Sequence, residues 1–133
     1  VSRASVLARG RTAAKAGMVD ACIITRVTGT TTNPTTGAVT ETVSTIYDGP
    51  CRVQELMGFS RDATAAPDQA VLARYRVLQL PVTTSTDVRA GDRVVIDSSV
   101  NDPDLVGAVM VVRDPSAESE ATSRRVGVEE ITS

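Results

Sequence analysis

The sequence predicts a mainly β domain: a small antiparallel β-barrel of about seven strands, with an N-terminal α-helix and one long internal loop. Three observations carry this. Of 133 residues, 20 are valine and 17 threonine, a β-branched excess that suits the pleated, half-buried surface of strands. Short runs of alternating apolar and polar residues recur along most of the chain, each closed by Gly, Pro, Asn or Asp. There is no strand–helix–strand rhythm, which argues against a parallel α/β sheet. One domain, residues 1–133, suffices for this length. Its core has to be aliphatic, because Tyr47, Phe59 and Tyr75 are the only aromatic residues.

Residues 1–18 read as the helix. Ser2 or Ser5 is placed to cap it, and Leu7, Ala14 and Met18 fall on one face at helical spacing. Gly10 weakens it by about 1 kcal/mol relative to alanine. A lone helix this short is marginal in water, so it must dock on something: its own domain, or a neighbouring subunit whose acidic groups meet its arginines. Residues 19–133 form the barrel. Strands at 21–27 and 38–47 flank Asn33-Pro34-Thr35-Thr36-Gly37, where proline presets φ at the first corner and glycine accepts the left-handed conformation that resumes pairing. The result is a hairpin whose threonine-rich tip, residues 28–39, projects from the body. Gly49-Pro50 predicts a break before a short strand at 51–54.

From 55 to about 70 the periodicity dissolves into a long loop. Leu56, Met57 and Phe59 stand in an otherwise polar stretch that runs on through Arg61 and Asp62. A structureless segment of this length inside a compact domain is usually functional or disordered. Alternation returns at 73–77, with Ala73, Tyr75 and Val77 expected inward and Arg74 and Arg76 outward, until Pro81 ends the strand. Asp87–Asp92 is a turn into a strand at 93–97 with Val94 and Ile96 inward. Asn101-Asp102-Pro103-Asp104 turns again before a strand at 107–113. After a polar loop, the last strand at 125–131 sets Val126 and Val128 on one face.

Composition removes much chemistry. Histidine is absent, so there is no imidazole base, no Ser-His or Cys-His pair and no histidine metal ligand. Two cysteines, Cys22 and Cys51, are too few for a zinc site of the Cys/His kind. They lie near strand starts and read as buried thiols, with a structural disulfide the alternative. Asp97, Asp102 and Asp104 lack the glycine and terminal glutamate of a calcium loop and read as a solvated turn. Gly91-Asp92 has no following helix N-terminus to receive a phosphate and reads as turn punctuation. Arg74, Arg76, Arg124 and Arg125 lack the aromatic platforms of a single-strand binder and read as solvated or interfacial. No enzyme, metal or cofactor is expected. No apolar run approaches the roughly 18 residues of a membrane helix, and none opens the chain as a secretory segment. Net charge is −2, unevenly spread: residues 1–26 carry +4 and the remainder −6.

A series of short stretches runs along the chain: Met18-Val19-Asp20-Ala21-Cys22, Asn33-Pro34-Thr35-Thr36-Gly37, Gly49-Pro50-Cys51-Arg52-Val53-Gln54, Leu80-Pro81-Val82, Arg89-Ala90-Gly91-Asp92-Arg93-Val94 and Asp102-Pro103-Asp104-Leu105-Val106-Gly107. Toward the end come Ala121-Thr122-Ser123-Arg124-Arg125-Val126 and Glu129-Glu130. In order and spacing these resemble the head-closure, or stopper, proteins of tailed actinobacterial phages, a family of head-to-tail connectors. Lys15 is the only lysine among 14 basic residues, a bias in keeping with a high-GC host.

The resemblance implies a small β-barrel with an N-terminal helix, made in the host cytoplasm and built into the virion neck. There it would form a homo-oligomeric ring, six- or twelve-fold related. The ring sits below the portal and its adaptor, closes the DNA channel after packaging and docks the tail terminator or tail tube. It implies a channel loop at Glu55, Leu56, Met57, Phe59, Arg61 and Asp62. The hairpin, with Thr30, Asn33, Pro34 and Gly37, would contact the neighbouring subunit, and Arg3, Arg9 and Arg11 would face the adaptor. Double-stranded DNA passes without specific binding, since acidic walls repel phosphate. The alternatives are a tail terminator or adaptor ring protein and, in another class, a monomeric β-barrel module for a small ligand or an oligonucleotide.

Overall fold

A computed structural model describes residues 2–55, 75–115, 117, 119 and 121–131. It contains one helix, α1 (Arg3–Ala16), and six strands: β1 (Asp20–Thr32), β2 (Val39–Glu55), β3 (Tyr75–Leu80), β4 (Arg93–Ser98), β5 (Val109–Asp114) and β6 (Arg124–Glu130). Pro103–Leu105 adds one turn of 3₁₀ helix. Every strand pairing is antiparallel. Two meanders, β1-β2-β3 and β4-β5-β6, meet edge to edge twice, β3 against β6 and β1 against β4, so the sheet closes on itself into a barrel.

A closed sheet of so few strands has room inside for side chains only. The small β-branched and aliphatic residues of this sequence fill it: Ile24, Leu78, Leu80, Val94, Ile96, Met110, Val112, Val126 and Val128 are all fully buried. Cys22 and Cys51 join them as free thiols. Cys51 pairs with Asp20 across the ladder, which sets it diagonal to Cys22 on the inner face. Their mutual hydrogen bond, then burial, pushes the Cys22 thiol far above its ordinary range. It is therefore not a thiolate nucleophile at neutral pH. The link between β3 and β4 buries two of its own side chains, Ser85 and Val88, and Val88 joins the core cluster.

Two expectations are corrected. The strands expected at 38–47 and 51–54 are one strand, which reduces the expected seven to six among the described residues. Gly49-Pro50 does not break it, because the Tyr47 ring lies over Gly49 and the Tyr47 hydroxyl donates to the Pro50 carbonyl. This pins the segment to the buried phenol, and β3 joins β2 only from Arg52 onward. The faces of β3 are also reversed. Leu78 and Leu80 point inward and Arg76 shares their parity, paired with the buried Val128, while Tyr75 and Val77 lie on the other face. Arg76 is tolerated there because it sits at the barrel's end and reaches Glu130 at 3.2 Å. Elsewhere the expected faces are seen: Val94 and Ile96 of β4, and Val126 and Val128 of β6, are inward. Leu56, Met57, Phe59, Arg61 and Asp62 lie outside the described residues, and Glu55 is the last residue of β2, opposite Arg76.

Candidate assembly surface: a projecting arm and its base

The pairing of β1 with β2 outlasts the barrel. Among the described residues, no strand other than β2 is paired with β1 beyond Thr25, and β2 has no second partner before Arg52. Every residue from Val27 to Thr45 is exposed. The six residues Val27 to Thr32 extend this two-stranded arm about 20 Å at the usual rise per strand residue. Register shifts at Ile24/Thr25 and Val27/Gly29 mark bulges at its root, which bend and twist a ribbon away from its parent sheet.

The tip is built as the sequence expects. The Asn33 side-chain oxygen accepts the Thr35 amide at 2.8 Å, and the Asn33 carbonyl accepts the Gly37 amide at 2.8 Å. Pro34 sits at the corner, and Gly37 takes φ 73°, the left-handed conformation that favours glycine. Asn33, Pro34 and Gly37 thus shape the turn, while Thr30 lies along the arm opposite Glu41.

The register divides the arm into two faces. Val27 pairs with Val43, Thr30 with Glu41 and Thr32 with Val39, and Val39, Glu41 and Val43 alternate along β2 without a bulge. One face therefore carries all three exposed valines of the arm, at 47, 64 and 55% exposure for Val27, Val39 and Val43. The opposite face pairs Thr31 with Thr40 and Gly29 with Thr42.

At the base, Arg26 anchors the arm to the barrel end. Its Nε and Nη2 donate to the two carboxylate oxygens of Asp92 at 2.8 and 2.9 Å, and Nη2 also donates to the Asp87 carbonyl at 2.6 Å. Asp92 is fully buried, and its Oδ2 also accepts the Arg89 amide at 2.8 Å. These bonds, that to Asp92 first, hold the Arg26 guanidinium more firmly in its charged form. The Arg89–Val94 stretch is thus a structural clasp. The sequence marks it as a turn, but nothing in the sequence couples Asp92 to Arg26, which is 66 residues away.

Helix α1 packs on its own domain. Ser2 is the cap, accepting the Ser5 amide at 3.2 Å. Leu7, Gly10, Arg11 and Ala14 are half-buried and Met18 is buried, the face expected from the spacing. Arg11 donates from Nε to the Ala121 carbonyl at 3.1 Å, so of the three arginines expected to dock elsewhere it holds the helix to the chain itself. Arg3 and Arg9 stay on the exposed side.

An open groove of about 440 Å³ lies between the end of the helix, β2 and the Asn101–Leu105 turn. There Ser99 donates to Asp20 at 2.8 Å and Asp102 caps the 3₁₀ turn by accepting the Asp104 amide at 3.1 Å. Both carboxylates serve the local fold. Among the described residues no group of three or more Cys, Asp or Glu is gathered as a metal ion requires. Nor is any helix long and apolar enough to cross a membrane.

The architecture is similar to the solution structure of protein SF1141 from Shigella flexneri 2a. The TM-score is 0.54 and the sequence identity 19%, covering 84% of this chain and 90% of that one. That likeness is one of fold. No curated protein matches the chain. The match that does span it is to the sequence model of a family of unknown function, over residues 10–129, and on that extent the chain belongs to the DUF6093 family.

Proposed function

We propose that this chain is a structural subunit of the phage head-to-tail interface: a ring protein that closes the DNA channel below the portal adaptor and docks the tail. The observation that carries the reading is the arm. It leaves a finished barrel, buries nothing within its own chain and keeps both edges unpaired among the described residues, which suits an assembly part better than a ligand site. The order of stretches that resembles the head-closure family supports it as well. Several of those stretches sit at joints of the fold: the arm's tip, the Tyr47-covered Gly49-Pro50 segment and the Arg26–Asp92 clasp. Between Val27 and Thr45 the only charge is Glu41, a surface that DNA passes without sticking. The role is non-catalytic, and the protein resides in the virion neck.

The test is electron microscopy of lysates from a phage whose copy of this gene is interrupted, with and without complementation by the full chain. Separate heads, many of them emptied, beside normal-length tails are expected. Tails of uncontrolled length would move the protein to the terminator ring, and normal infectious particles would overturn the proposal.

A further inference from the structure

We propose that the arm is a self-pairing element: its β1 edge takes the β2 edge of the next copy's arm, antiparallel, so that successive arms form one continuous sheet. The closure of that sheet into a ring rests on the reading above; the edge-to-edge pairing stands on the geometry of the arm itself.

Three observations lead to it. First, among the described residues both edges are open over matching lengths: β1 from Val27 to Thr32, and β2 from Val39 along its approach to the barrel. An open edge is a row of unpaired N–H and C=O groups, a template for another strand. Second, beyond the bulges at its root the arm carries few of the side chains that guard an edge. Natural edge strands are protected by lysines, prolines or charges turned into the strand. Here the two arm strands carry threonine, valine and one charge, Glu41, with Pro34 confined to the tip. Such side chains leave the backbone edge accessible to another strand. Third, the two edges belong to strands of opposite direction, so copies related by rotation offer β1 of one arm beside β2 of the next, running antiparallel. That is a heterologous contact, which repeats from copy to copy and closes when the rotation allows. Pairing in this sense also joins the valine faces of neighbouring arms into one band, on the face that holds Val27, Val39 and Val43 with Glu41 between the last two. The partner is thus a second copy of this chain, which alone brings the same two edges and the same band.

Variants with one added cysteine test the pairing. Thr30→Cys or Thr32→Cys places a thiol on β1, and Glu41→Cys or Val43→Cys places one on β2, all on one face of the arm. The native Cys22 and Cys51 are fully buried and stay out of the reaction. Each variant is oxidised alone and in equal mixture with a variant of the other strand. This is done both as purified full-length protein and in particles complemented with two variants at once. Disulfide-linked dimers are expected from β1-plus-β2 mixtures at about tenfold the yield of either variant alone, as heterologous contacts demand. A Val43→Lys change, made in the β1-cysteine chain and in its Glu41→Cys partner, removes most of that yield while leaving the melting temperature in place. Dimers from one variant alone, with none in the mixture, mean two-fold pairing and overturn the proposal. Absence of mixed dimers in both preparations overturns it too. Particles that contain the chain but give no mixed dimer refute the pairing and leave the neck assignment intact. If the chain is missing from particles, that assignment fails and the purified protein alone decides the pairing.

Discussion

Gly10 sits inside α1, where alanine is ordinarily worth about 1 kcal/mol more than glycine. Here a Cβ at that position would stand 2.7 Å from the Thr122 methyl, so the helix lies on its own domain at a distance that only glycine permits. Gly10→Ala alone is therefore expected to leave thermal stability unchanged or lower it. With Thr122→Ser, which removes the methyl, it should recover most of about 1 kcal/mol. Thermal denaturation of the two single variants and the double variant checks this, and a stabilising Gly10→Ala on its own would contradict the close packing. The sequence showed Gly10 as a weakness of the helix and left its reason out, because the reason lies 112 residues away. Tyr47 is a similar case. Its hydroxyl donates to the Pro50 carbonyl three residues on, and burial raises its phenol above the ordinary value. Gly-Pro is a reliable sign of a turn only where nothing covers it, and here a buried ring keeps the strand running through.

Among the elements, β6 was legible from alternation because it carries aliphatic residues on one parity only, Val126 with Val128, and β4 because the charged Arg93 and Asp97 share a parity with Val95 and leave Val94 and Ile96 as the fully apolar one. β3 was not. Its early residues alternate apolar and arginine, which fixes the period but not which face is buried; Leu78 and Leu80, further along, decide it. An arginine on the inward parity is stable at a barrel end, where its head reaches a carboxylate at the rim. The arm was legible as a hairpin from Asn33-Pro34 and Gly37, but its two faces were not, since the bulge at Val27/Gly29 shifts the register. Because every arm residue is exposed, replacing 28–43 with a short turn should leave the midpoint of thermal unfolding within about 2 °C, the scale of a few tenths of a kcal/mol in a domain of this size. The same variant should fail to restore infectivity to a phage lacking the gene. A large loss of stability would show that the arm belongs to the core, and full rescue would remove it from assembly.

At the scale of the whole molecule, two meanders joined along both edges give a barrel that needs no partner to complete its core. Among the described residues both edges of the arm are open, and charge is nearly absent from it. Fold class was therefore legible from β-branched composition and turn spacing, because a small aliphatic barrel is what such residues fill. Function was not legible in the same way. On the proposed reading, assembly rests on backbone edges rather than on catalytic side chains, and an open edge leaves no motif. The most direct measurement is cryo-electron microscopy of the neck of intact particles that carry this chain. The account predicts a ring at the head–tail joint whose subunits fit β1–β6, with arms of adjacent subunits joined into one sheet. A neck fully accounted for by other proteins would contradict it.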